Sequence, residues 1–131
     1  MQRRLAYKGS KLTIAYAREQ SGRFPGEEFF NGLTELDKAK LMAIFRIFCE
    51  TGRGANPEKF GTLGNGMFEF KSFQIRMPFA YAKVEQGMVL LTHGFIKKGN
   101  KVPKSEIERA WRIFKEDQGE ADLVLVKKAK R

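Results

Sequence analysis

Apolar and polar residues alternate from Lys11 to Ala17, with Leu12 and Ile14 on one side and Thr13 and Ala15 on the other, so KLTIAYA predicts a first strand. In FPGEEFFNGL, Pro25 suits a first helical turn, Glu27 and Glu28 favour its positive end, and Phe29, Phe30 and Leu33 share a face. A longer helix is expected from a Thr34 cap to about Thr51, with Gly52 as its left-handed stop and Leu41, Ile44, Phe45 and Phe48 as its core stripe. Residues 53–66 hold four glycines and Pro57, which predicts a loop pinned by Phe60 and Leu63. The period then becomes two. MFEFK sets Phe68 and Phe70 opposite Met67, Glu69 and Lys71, and after a turn near Ser72 the segment FQIRMPFAYAK sets Phe73, Ile75, Met77, Phe79 and Tyr81 opposite Gln74 and Arg76. Pro78 lacks a ladder donor and marks an edge, a bulge or a break. After a turn at Glu85–Gly87, MVLLTHGFIKK is the most apolar strand and is expected at the centre of the sheet. Pro103 opens a last helix with Ile107, Ala110, Trp111 and Phe114 on one stripe and Glu108 paired with Arg112. A short strand at Leu123–Val126 is expected before a basic end. This order predicts an α+β fold: a small antiparallel sheet with two N-terminal helices and one C-terminal helix packed on one face, leaving the other free for a ligand.

With 131 residues, 42% of them hydrophobic, the chain has material for one core, so residues 1–131 are expected to form a single domain with a loose basic arm, 1–10, and a basic tail, 119–131. Lysine and arginine total 25 against 15 acidic residues, a net charge of +10. Such an excess points to a polyanionic partner, because cations displace the counterions condensed on phosphates. Cys49, the single cysteine, lies in an apolar helical stretch and reads as a core thiol; one cysteine forms no internal disulfide and no thiolate zinc site. No apolar run reaches the roughly 18 residues of a membrane span, and the N-terminus lacks the apolar block of a secretory signal, so a cytoplasmic protein is expected.

The stretches LGNGMFEFKSFQIRMPFAY and VLLTHGFIKKGNKVPKSEIERAW resemble the C-terminal half of toxins in the RelE/HigB superfamily, in its phage-derived HigB-like branch. FPGEEFFNGL and the helix ending in ETG fit the same pattern, so the resemblance spans about residues 11–117; GFIKK followed by a lysine–proline helix start is its most specific part. It implies the toxin of a type II toxin–antitoxin module, an endoribonuclease cutting mRNA on the ribosome without a metal or cofactor, partnered by an antitoxin of helix-turn-helix type. Two alternatives remain: a gyrase-inhibiting toxin of the same fold, and a non-catalytic phage-type nucleic-acid-binding protein.

Such cleavage requires activation of a ribose 2′-hydroxyl, neutralisation of the phosphorane and protonation of the leaving 5′-oxygen. Arg76 is the first candidate for the phosphate, since its planar fork matches phosphate oxygens and the resemblance aligns it with the family's strand arginine; a salt bridge to Glu69 is the competing reading. Lys71 takes the place of a family cation. Of the paired lysines, Lys98 is preferred to Lys97 because it shares parity with Thr92 and Gly94, while Lys97 is assigned to RNA binding with Lys59, Arg53 and Lys101. His93 titrates near neutrality, but alternation groups it with Leu91 and Phe95, which favours a satisfied histidine at the core margin over a catalytic one. Glu69 and Tyr81 complete the proton-transfer candidates. Better-characterised relatives carry a histidine near the glycine-rich loop and an aromatic or acidic C-terminal cluster that this chain lacks, so acid and base stay unassigned.

Overall fold

A computed structural model describes residues 2–119. Its elements are β1 (Leu5–Lys8), β2 (Thr13–Tyr16), α1 (Pro25–Asn31), α2 (Glu35–Thr51), β3 (Phe60–Gly64), β4 (Met67–Ser72), β5 (Ile75–Tyr81), β6 (Met88–Leu91), β7 (Phe95–Ile96) and α3 (Lys104–Gln118). The α+β class and the three helices follow the hydrophobic periods. The boundaries of α2 fall where its capping chemistry puts them: the Thr34 side chain accepts from the Asp37 amide at 3.2 Å, and Gly52 stops the helix at φ 80°.

The strands form one sheet in the order β1-β2-β6-β5-β4-β3, with β7 continuing along β5. The sheet is mixed, because β2 pairs with β6 in parallel, Ile14 opposite Val89, while the remaining pairs are antiparallel. Alternation identifies a strand without its direction, so an antiparallel meander was the simplest reading of the order and this pairing departs from it.

Three further expectations are corrected. The loose arm is a strand: β1 pairs with β2, and Arg3 bonds Glu85 and Asp117 at 2.7 Å, with its side chain 11% exposed and that of Asp117 fully buried. Nothing in LAYK alternates strongly; charge pairing and a neighbouring strand order it. The glycine-rich loop contains β3, whose hairpin to β4 turns through Gly64, Asn65 and Gly66 at φ 90°, 56° and 92°, so those glycines serve the turn and leave the strand intact. Arg112 pairs with Glu116 at 3.0 Å and Glu19 at 3.1 Å, not with Glu108, because the loop after β2 brings a carboxylate to it. The proposed strand at Leu123–Val126 and the tail beyond it lie outside the described residues.

Helices cover both faces. On one, α2 packs Phe45 and Phe48 onto Phe70 and Phe79, whose ring centroids are 4.2 Å apart, and α1 adds Phe29 and Phe30 to the same cluster. On the other, α3 lays Ala110, Ile113 and Phe114 over Ala15, Ala17, Met67, Ala80 and Leu90. The expected free face is therefore occupied along part of its length, since alanines on β2 and β5 let a helix approach.

The apolar strand after Gly87 is two strands. Between Phe79↔Leu91 and Arg76↔Phe95, β5 contributes two residues, Met77 and Pro78, while the partner contributes three, Thr92, His93 and Gly94. This is a bulge opposite the proline. Gly94 is required there: a Cβ would stand 2.1 Å from the Phe29 ring of α1. His93 is 1% exposed, donates from Nε2 to Glu106 Oε1 at 3.0 Å and accepts at Nδ1 from the Thr92 hydroxyl at 3.1 Å. It anchors the start of α3 to the sheet as a neutral ring. Burial pushes its pKa down to about 4, against the pull of Glu106.

A depressed histidine pKa gives stability that is present above the ordinary value of 6.5 and lost as pH falls through about 4, because the unfolded chain takes up a proton first. Urea midpoints of the wild type should therefore fall more steeply between these pH values than those of His93→Gln. Parallel profiles would remove the histidine from the acid transition.

Candidate active site

On the α3 face, beyond the helix's apolar stripe, the strand register gathers polar side chains. Lys71 lies directly opposite Arg76, and Glu69 lies between Gly61 on one side and Pro78 on the other. The bulge decides which lysine joins them. With one extra residue between Leu91 and Phe95, parity switches: Phe95 sits opposite Arg76, and Lys97, bonded through its amide to the Gln74 carbonyl at 2.7 Å, follows on the same face. Lys97 is half-buried there and contributes to the field at Glu69, whereas Lys98, the lysine preferred by strict alternation, is exposed on the opposite parity.

Arg76 and Glu69 form the floor of the cluster. Arg76 Nε lies 3.7 Å from Glu69 Oε1, with the side chains 11% and 9% exposed. That separation is beyond hydrogen-bond reach, so both atoms are buried without a hydrogen-bond partner. The guanidinium is oriented from its other end, where Nη1 donates to the Phe73 carbonyl and, at 2.9 Å, to the Ile75 carbonyl. Among the described residues Nη2 donates to nothing. Glu69 is held above the usual carboxylate range by burial, against the opposing pull of Arg76, Lys71 and Lys97. A carboxylate in this state is a stronger base than one in water.

Gly61 shapes the opening. A Cβ at this position would stand 3.0 Å from Glu69 Oε2 and 3.5 Å from Lys71 Nζ, so its absence keeps both groups clear of the β3 strand. Sequence reasoning assigned Gly61 to a loop. The usable signal was a glycine inside an apolar alternation, which marks a close approach.

The remaining candidates lie elsewhere. Tyr81 is on the α2 face, 45% exposed and edge-on to Phe68, and with Arg53 it lines a cavity of about 350 Å³ separated from Glu69 by the sheet. Lys59 reaches the exposed Phe73 ring, 5.8 Å from its centroid. His93 is enclosed beneath α3, and Lys101 is exposed beyond β7. Among the described residues no group of three or more His, Cys, Asp or Glu side chains is placed to hold a metal ion, and no helix is long and apolar enough to cross a membrane.

The sequence profile described as Phage derived protein Gp49-like (DUF891) matches residues 28–115, from α1 through α3 and across every member of this cluster. The chain belongs to the Gp49-like family. That family lies within the toxin-like RelE/HigB-type superfamily and is of phage-derived, toxin–antitoxin type. No curated protein matches the chain. The Gp49-like match begins after β1 and β2, so Arg3 and the β2 side of the parallel pairing lie outside it, while the β3–β7 cluster lies within.

The carboxyl group of Glu69, followed by carbon-detected NMR, should titrate above 4.5, and Arg76→Ala should raise its midpoint further because one of the cations that favours the charged form is gone. A midpoint at or below 4.5 in the wild type would show that the cations outweigh burial.

Proposed function

We propose that this Gp49-like protein is a toxin that cleaves mRNA by transesterification, acting on the ribosome, needing no metal ion and held inactive by a cognate antitoxin. One observation carries the reading: a buried carboxylate and guanidinium, each with an unsatisfied polar atom, face two lysines on the part of the sheet that α3 leaves to polar side chains. An ion pair built for stability would close to hydrogen-bond distance, since desolvating two charges is repaid only by good geometry. This pair stands open.

The roles follow from charge and position. Glu69 takes the proton of the ribose 2′-hydroxyl as that oxygen attacks phosphorus. The incoming phosphate adds negative charge beside the carboxylate and raises its basicity further. Arg76, through the edge carrying Nη2, and Lys71 offset the extra charge of the phosphorane. The Lys97 ammonium passes a proton to the departing 5′-oxygen, leaving a 2′,3′-cyclic phosphate and a 5′-hydroxyl; solvent then returns the proton held by Glu69 to Lys97. A cluster of this kind relies on an external scaffold to bend the strand into line, so cleavage of free RNA is expected to be slow. The chain's net charge of +10 suits both ribosomal RNA and an antitoxin with an acidic binding segment.

Purified protein added to translating ribosomes should cut message at discrete positions, and Glu69→Gln should slow cutting by about 10²- to 10⁴-fold, the usual range for loss of a general base. Arg76→Ala should cost about 10²- to 10³-fold, as for loss of one transition-state donor. Intact message at high protein excess would reject the nuclease. Supercoiling inhibition without RNA cleavage would select the gyrase-directed alternative, and steeply salt-dependent RNA binding without either would select the silent binder.

A further inference from the structure

The turn between β4 and β5 carries a residue that the local backbone does not want. Ser72 pairs with Ile75, so Phe73 and Gln74 form a two-residue hairpin loop, and Phe73 occupies its first position at φ 54°. A positive φ there, followed by a residue at negative φ, is the setting in which hairpins ordinarily place glycine. Among the described residues the other positive-φ positions are glycines and Asn65, which accept that conformation readily, so Phe73 alone departs from the usual solution.

What the strain holds out is an aromatic ring. Phe73 is 70% exposed, and the lysines nearest it converge on the ring: Lys40 Nζ from α2 lies 4.3 Å from the centroid and Lys59 Nζ from the approach to β3 lies 5.8 Å away. Beside the ring is an open cavity of about 390 Å³ with Ile44 and Phe60 among its apolar lining and Asn56, Lys40 and Lys59 among its polar lining. An exposed aromatic face bracketed by cations is the arrangement that takes a nucleobase on the ring and its phosphates on the ammonium groups. A base offers a larger contact than one ammonium does: stacking is worth about fivefold to over a hundredfold in affinity per base, against about two- to fivefold for an exposed cation–π contact. The exchange releases Lys40 to a phosphate. Duplex nucleic acid hides base faces, so the occupant is single-stranded.

The turn is tied to the cluster on the other side of the sheet. Arg76 Nη1 donates to the Phe73 carbonyl, so the residue that presents the ring also orients the guanidinium. We propose that Phe73, with Lys40 and Lys59, is a base-stacking subsite that seats an unpaired nucleotide of the substrate strand where the strand rounds the β4–β5 turn from the phosphate held at Arg76 on the other face. This deepens the nuclease reading and rests on it for the nature of the substrate.

Phe73→Gly separates the two roles of the residue because it moves them in opposite directions. Glycine relieves the left-handed strain, so the thermal midpoint of the variant should equal or exceed that of the wild type. A single-stranded oligoribonucleotide with 2′-O-methyl sugars and one 2-aminopurine cannot be cut, and its fluorescence reports stacking. Wild type should quench it, Phe73→Trp should retain both quenching and affinity, and Phe73→Gly should lose the quench and bind about tenfold more weakly. Equal affinity and quenching in wild type and Phe73→Gly would overturn the subsite and leave the cleavage chemistry standing. Stacking without mRNA cutting by the wild type would keep the subsite and remove the nuclease. A Phe73→Gly variant that keeps its RNA affinity but no longer captures a poly-glutamate peptide would reassign the surface to an acidic protein partner and overturn the proposal.

Discussion

The arrangement depends on one extra residue. Pro78 removes a donor from the middle of β5, and across from it the partner strand spends three residues, Thr92, His93 and Gly94, where a regular ladder would spend two. Each of the three has a consequence. Thr92 bonds back to the Pro78 carbonyl through its amide at 3.0 Å, so the sheet is not severed. His93 turns beneath α3 and holds Glu106. Gly94 clears the space that the Phe29 ring of α1 fills. After the bulge the side chains have changed sides, and Lys97 comes to face Glu69.

The two faces of the sheet are built for different purposes. Phe45, Phe48, Phe70 and Phe79 interlock under α2 at ring separations near those preferred by aromatic pairs, 4.2 Å for the stacked strand rings and 5.0 to 5.3 Å for the edge contacts. That face supplies most of the large buried apolar surface. The α3 face is thinner, with alanines at Ala15, Ala17 and Ala80, and its polar part holds Glu69, Lys71 and Arg76. Strong packing on one side lets the other keep a carboxylate and a guanidinium with unsatisfied atoms, a combination costly in any site without a compensating scaffold.

Charge is organised at two scales. Over the whole chain the excess of ten positive charges draws polyanions without choosing among them. Within the cluster, distance and burial make the choice, because a carboxylate is retained among cations and held above its usual titration range by desolvation. The hairpin turn at Phe73 links the cluster to a basic aromatic surface on the opposite side, through a single arginine that bonds the turn's carbonyls.

The amino-acid order by itself determined the elements whose signal is local: the stripe and caps of α2, the proline-led α1, the alternation of β4 and β5, and the α+β class. It also placed Glu69, Lys71 and Arg76 on one side, because parity within a single hairpin needs no knowledge of the rest of the chain. The tertiary structure decided what depends on partners distant in sequence. β1 exists through its pairing and the Arg3 clamp, β2 runs parallel to β6, and α3 lies opposite α2, none of which alternation can express. Whether Lys97 or Lys98 reached the cluster was likewise beyond a local reading: Pro78 announced a disturbance, but only the paired strand shows that it is absorbed by one inserted residue, and a single insertion reverses every side chain that follows.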